Sequence, residues 1–142
     1  MLGALIAKQK IRSAFSYFND RNMEKFLSLW DDNAIFIYPG NVSVSGTNKG
    51  KSNVSAWFNN LMDAGPSVHF SINSICVDNI FDLIGTNVIT VEWDNSVTNR
   101  KGINIMVSGV SVIRIKKGRI INVCDYIFDP EKLPIAWCED GL

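Results

Sequence analysis

The order of periodicities along this chain predicts an α+β fold, with helices laid on one face of a curved, mainly antiparallel sheet. Three observations carry that reading. Apolar residues recur at helical spacing up to about Met62, and after Gly65-Pro66 they recur at strand spacing. The later segments are joined by turn chemistry rather than by helices. Helices therefore come first and strands last, unlike the strict alternation of a parallel α/β sheet. A length of 142 residues suits one domain, 1–142. With 46% hydrophobic and 20% charged residues, the composition excludes a disordered chain and a coiled coil.

Residues 4–19 carry Leu5, Ile11, Ala14, Phe15 and Phe18 as one helical stripe, and Asn19-Asp20-Arg21-Asn22 ends it. Met23, Phe26, Leu27 and Trp30 mark a second, short helix. Ala34 to Tyr38 is β-branched and aromatic and closes on Pro39-Gly40, so it reads as a strand and turn. Residues 40–52 hold three glycines and read as loop or hairpin. Ser52 is placed to cap a helix over 53–63 with Val54, Trp57, Phe58, Leu61 and Met62 on its apolar side. Four strands are expected over 68–78, 82–94, 103–116 and 119–129. Their connections contain Asp78-Asn79, Asn95-Ser96, Asn99-Arg100-Lys101-Gly102 and Lys116-Lys117-Gly118.

Fourteen basic and fourteen acidic residues cancel, so no global charge points to nucleic acid or a membrane surface. Leu2 to Ala7 is too short for a signal-peptide core, and no run reaches a membrane span. The chain therefore reads as cytoplasmic. Cys76, Cys124 and Cys138 are an odd count without repeated spacing, which argues against a disulfide framework. One histidine and no Cys-x-x-Cys leave little from which to build a metal site, so none is expected. The string Gly46-Thr47-Asn48-Lys49-Gly50-Lys51-Ser52 ends like a phosphate-binding loop. The first glycine of that motif would have to stand at Ser45, so the string reads as a turn feeding a helix.

Asp125 is the most informative residue. It sits in the run Ile120 to Phe128, where a carboxylate must be paired, hydrogen-bonded or protonated. Alternation places it on one side with Val123 and Ile127, and places Cys124 and Tyr126 on the other. It reads either as a buried anchor or as a general acid or base in an apolar cavity. Glu92 and Asp94 share a face of their own strand. If that face is the concave one, they form a coupled acidic set with Asp125. Tyr38 is a candidate proton donor to a ligand, and His69 opens a strand nearby. Phe15, Phe18, Trp30 and Trp57 are core residues that also suit a pocket wall, since such pockets are mostly apolar with few polar groups.

Trp30-Asp31-Asp32-Asn33-Ala34-Ile35-Phe36, Tyr38-Pro39-Gly40, Gly50-Lys51 before Trp57-Phe58, and the ending Gly118-Arg119-Ile120 with Asp125-Tyr126 and Phe128-Asp129 resemble the nuclear-transport-factor-2-like superfamily. The ending is similar to its SnoaL-like and limonene-epoxide-hydrolase-like branches. The resemblance spans about residues 5–130 and implies a cone-shaped fold whose curved sheet wraps a long helix around a cavity. It implies a small apolar substrate, no cofactor, and a homodimer through the outer sheet face, with Asn122, Cys124 and Tyr126 on that face. By the epoxide-hydrolase pattern, Asp94 and Asp125 fall on the paired aspartates, while Glu92 stands where that pattern has an arginine. Ile35 and Ile37 stand near its water-holding tyrosine and asparagine. The expected catalytic set is Asp125 with Asp94 as partner and Glu92 tuning their protonation. The reaction expected is epoxide hydrolysis, isomerisation or cyclisation. Binding of a hydrophobic ligand without turnover is the alternative. The apolar tail after Pro130 is expected to dock over the cavity mouth or on a partner chain.

Overall fold

The computed structural model describes residues 1–141. Its elements are helix α1 (Leu2–Asn19), helix α2 (Met23–Ser28), strands β1 (Trp30–Tyr38) and β2 (Gly46–Lys49), helix α3 (Lys51–Ala64), strands β3 (Ser67–Val77), β4 (Asn87–Thr98), β5 (Asn104–Lys116) and β6 (Arg119–Ile127), and a closing turn of helix α4 (Leu133–Ala136). The six strands lie in the order β2-β1-β6-β5-β4-β3. Every neighbouring pair is antiparallel except β1 and β6, which run parallel. The helices cover the concave face of this curved sheet, α1 against β3 and α3 against β1.

The buried stripe of α1 is Gly3, Ala7, Ile11, Ala14 and Phe18, spaced four, four, three and four residues apart. Leu5, expected on that stripe, is instead exposed. At about 100° per residue it falls well off the Ile11 side. The helix end is tied to the sheet edge, because the Asn19 amide donates to Phe70 O and accepts from Phe70 N, both at 2.8 Å. Asn22 caps α2 through Lys25 N. The third helix starts two residues earlier than expected, so Ser52 is inside it and Gly50 holds the cap position at φ 84°.

Strand boundaries also differ. β1 begins at Trp30, which was expected on the second helix, four residues before the expected Ala34, and β6 ends at Ile127. Residues 79–86 are a loop, although several of them are apolar. There Asn79 accepts from Phe81 N, and Asp82 accepts from Ile84 N and Gly85 N, so local side-chain turns displace the ladder. At the other end β4 continues through Asn95-Ser96 to Thr98, and the turn falls at Asn99-Arg100-Lys101-Gly102. There Asn99 accepts from Lys101 N and Ile103 N. The glycine-rich string forms an antiparallel edge strand on β1, outside the parallel context that a phosphate loop requires.

The core is unusually aromatic. Phe36 packs against Trp30, Tyr38, Trp57 and Phe58, with ring centroids 4.6–6.3 Å apart, edge-to-face on Trp30 and Trp57, tilted on Tyr38 and stacked on Phe58. Phe18 and Phe26 join it from the first two helices. The tail docks on its own chain: Leu133 and Ala136 are buried, and Asn99 Nδ2 donates to Ile135 O. Among the described residues no helix is long and apolar enough to cross a membrane.

Candidate active site

A small internal space lies between the helices and the concave face, in two lobes. The inner lobe is about 70 Å³ and is walled by Phe15 and Phe18 from α1, by Trp30 from the start of β1 and by Val123 and Asp125 from β6. The outer lobe is about 40 Å³ and is bounded by Tyr38, Trp57, Asn95 and Ile127, with Leu133, Ala136 and Trp137 of the tail. Phe58, Phe70 and Asp125 belong to both walls. The tail thus closes the outer lobe, one of the two positions expected for it.

Strand alternation turns Val123, Asp125 and Ile127 inward, as expected from the sequence. Ser111 lies directly across from Asp125 in the β5–β6 register. Its hydroxyl donates to Asp125 Oδ1 at 2.5 Å and accepts from Trp93 Nε1 at 2.8 Å. Trp93 reaches it because Gly109, its partner on β5, has no side chain. A Cβ there would lie 2.8 Å from Trp93 Cη2 and 2.5 Å from the Tyr126 carbonyl oxygen. The serine hydrogen is thereby committed to the carboxyl. Burial raises the Asp125 pKa to about 7, against the opposing pull of the Ser111 hydrogen bond. At neutral pH the group therefore exists in both forms, the condition under which one carboxyl both takes and returns a proton.

Replacing Ser111 by alanine removes the bond that favours the charged form. The Asp125 midpoint should then rise by about one pH unit, the scale of one hydrogen bond to a charged group. A pH titration of the labelled carboxyl carbon by NMR reads this directly, and an unmoved or lowered midpoint would contradict the assigned bond.

Tyr38 is buried, and its hydroxyl accepts from Trp137 Nε1 at 3.1 Å. Burial holds its pKa well above the ordinary phenol range. The Trp137 bond acts the other way, and the negative charge of Asp125 adds to the rise. Tyr38 therefore keeps its proton at neutral pH. Among the described residues, two buried side-chain polar atoms lack a protein partner: Trp30 Nε1 and Asn95 Oδ1. Trp30 walls the inner lobe and Asn95 the outer one, so each lobe is bordered by a residue with a polar atom to satisfy.

Glu92 and Asp94 do share a face, but it is the outer one. On β4 the residues Ile89, Val91, Trp93, Asn95 and Val97 point inward, so the even-numbered acids point away from Asp125. Asp94 accepts from Ser108 Oγ and Asn73 Nδ2, and these bonds hold its pKa below the ordinary carboxylate value. Glu92 accepts from Ser74 Oγ. The three-acid set is thus not assembled, and neither is the two-aspartate pair of the epoxide-hydrolase pattern. His69 is exposed and points outward, since Val68 and Phe70 on either side take the inward positions. It borders an open groove at the β3 edge rather than the cavity. Phe15, Phe18, Trp30, Trp57, Tyr38, Val123 and Ile127 all line one lobe or the other. Ser111 and Asn95 were not singled out in the sequence. Ser111 had a signal, as a lone polar residue in step with Val107, Ile113 and Ile115 on the inward side of β5. Among the described residues no group of three His, Cys, Asp or Glu side chains is placed to hold a metal ion.

Helices packed on a curved, mostly antiparallel six-stranded sheet define the nuclear-transport-factor-2-like, or cystatin-like, class of α+β proteins. Within that class the chain belongs to the SnoaL-like domain family, whose profile matches residues 11–123. The uncharacterized protein YesE of Bacillus subtilis (strain 168) is 26% identical over 122 residues, covering 84% of this chain and 80% of its own. Bal32a, from a soil-derived mobile gene cassette, superposes with a TM-score of 0.82 at 20% identity, over 92% of this chain and 95% of its own. RV0760c from Mycobacterium tuberculosis, solved in complex with estradiol-17beta-hemisuccinate, gives a TM-score of 0.72 at 21% identity, over 84% and 92%. These likenesses establish the fold. Asp125 lies just beyond the end of the family match.

Proposed function

We propose that this protein catalyses proton transfer within a small, mostly apolar carbonyl compound, with Asp125 as the one acid/base group. The observation that carries the reading is a single carboxyl, tuned to about 7, on the wall of an apolar cavity that it shares with a protonated tyrosine. Ionised Asp125 takes a proton from the carbon beside the carbonyl, and the electron pair moves onto the carbonyl oxygen. The Tyr38 hydroxyl donates a hydrogen bond to that oxygen as its charge grows. Protonated Asp125 then returns its proton to the same or a neighbouring carbon, which completes an isomerisation. The binding of a steroid ester by RV0760c supports an apolar ligand for the shared fold.

Exchange in heavy water tests this with a panel of enolisable ketones. The protein should speed incorporation of deuterium, and Asp125→Asn should lower that rate by about 10²–10⁴-fold, with Tyr38→Phe lowering it less. Equal rates for the wild type and Asp125→Asn sink the catalytic reading.

Non-catalytic ligand binding is favoured by a separate observation. Trp30 Nε1 and Asn95 Oδ1 are buried polar atoms that a bound molecule would satisfy whether or not it reacts. A copurified molecule released chemically unchanged, seen by native mass spectrometry, would select that reading. The homodimer expected through the outer sheet face belongs to the same proposal. Exposed Met106 and Tyr126 are the side chains that a second copy would cover there.

A further inference from the structure

One end of the molecule carries an apolar surface that the cavity does not use. Leu2, Leu5 and Ile6 are exposed on the first turns of α1, away from its buried stripe. Beside them the β3–β4 loop exposes Phe81 at 76%, Leu83 at 66% and Ile84 at 77%. The two segments form one surface. The Ala4 amide donates to Ile80 O, and the backbone of Gly3 lies so close to Asp82 that a Cβ there would be 2.2 Å from its carbonyl oxygen. Ile6, Leu83 and Ile84 wall the same shallow groove. Isolated exposed apolar residues need no explanation, but a contiguous group of this size marks a contact surface.

The charge around it is mainly positive. Helix α1 contains Lys8, Lys10 and Arg12 and no acidic residue. The β5–β6 turn brings Lys116 and Lys117 to the same end, because Gly118 N donates to Gly85 O and Lys117 N to Thr86 Oγ1. Lys10 lies over that turn, and its pKa is lowered by burial and by the nearby Arg119 charge. The acids of the adjoining loop are Asp78 and Asp82. The Asp82 carboxylate is turned into its own loop by Ile84 N and Gly85 N. The zero net charge of the chain thus conceals a basic end.

We propose that this end docks on an anionic phospholipid surface, with the Leu5–Ile6 turn and the Phe81–Ile84 loop entering the headgroup boundary and Lys8, Lys10, Lys116 and Lys117 facing the lipid charge. The combination of apolar side chains with a basic rim is what such a surface recognises. A second copy fits less well. Two-fold pairing of this patch on itself would bring the same lysines together.

Sedimentation with sucrose-loaded vesicles tests the proposal. Binding to vesicles of equal parts phosphatidylglycerol and phosphatidylcholine should exceed binding to pure phosphatidylcholine by about ten-fold and weaken with added salt. The exposed pairs Leu83→Ser/Ile84→Ser and Lys116→Glu/Lys117→Glu should each reduce it about five-fold or more, with far-UV circular dichroism unchanged. Absence of binding to the anionic vesicles overturns the proposal, and so does binding that both variants retain. Light scattering that shows a dimer broken by Leu83→Ser/Ile84→Ser, with no vesicle binding, overturns it in favour of a second copy as the occupant.

Discussion

Asp125→Asn should give a protein more stable than the wild type above neutral pH, by up to about 4 kcal/mol, and nearly equal to it at about pH 4. In the unfolded chain this carboxyl titrates near 3.9, and in the folded protein burial raises it to about 7. Between those values the folded state holds a proton that the unfolded state has released. The stability it contributes is whole below about pH 4 and is lost as pH rises through 7. Asparagine mimics the protonated group in size and can still accept from Ser111 Oγ, so it escapes that loss. Asp94 acts in the opposite sense. Its lowered pKa contributes stability that is present at neutral pH and lost in acid, but this is common to both proteins and cancels in their difference. Urea unfolding of both at a series of pH values gives the difference curve. A flat curve from pH 4 to 8 would mean that Asp125 is not held in a desolvated place. A protein that gives up stability to keep one carboxyl near neutrality fits the exchange of active-site function against folding energy seen in many enzymes.

The same carboxyl shows how far the sequence could be read. A lone Asp in a run of Ile, Val and Phe, at a position that alternation aligns with Val123 and Ile127, was sufficient to place it on the inward side of its strand, though not to choose between a buried anchor and a cavity acid. The helical stripes and the switch of period were sufficient for the architecture. Where the reading failed, the signal was local and was overruled. Across Asn87–Thr98, Ile89, Val91, Trp93 and Val97 fall on one side, and Thr90, Glu92, Asp94 and Ser96 on the other. Ile89, Val91 and Trp93, all before the turn-like Asn95-Ser96, already settle which side faces in, and by that alternation Glu92 and Asp94 face out. The likeness to a paired-aspartate site then drew both acids inward. Asn95 is buried and inward for a reason that turn statistics do not capture, since a cavity needs an occasional polar group. The basic, apolar end was hidden differently. Its parts are distant in sequence, and net charge averages over them. Ser111 and Gly109 show the same limit, because the value of each depends on what lies across the sheet from it.

Phe36→Ala should cost about 3–5 kcal/mol, the range for deleting a fully buried phenylalanine, and should lower the melting temperature by about 10 °C or more for a chain of this size. Phe36 is 1% exposed, and its ring touches four other aromatic side chains while also walling the inner lobe. Those neighbours come from α3 and from β1 itself, so the ring couples the helix layer to the sheet. Its loss does more than loosen the core, because the space it leaves opens into the lobe. In the wild type that lobe is about 70 Å³, well under the roughly 150 Å³ that holds a benzene in an engineered apolar cavity. The enlarged lobe of the variant should therefore take benzene or indole and regain part of its melting temperature, with a larger shift than either compound gives the wild type. A variant that loses less than about 1 kcal/mol would show that the aromatic cluster relaxes around the gap instead of holding its shape. Equal shifts in the two proteins would carry a different meaning. The wild-type rings of Phe58 and Phe70, which stand in the walls of both lobes, would then already move aside to admit a ligand of that size. In that case the volume open to a substrate is set by how far those two rings swing, and Asp125 would meet a molecule that spans both lobes.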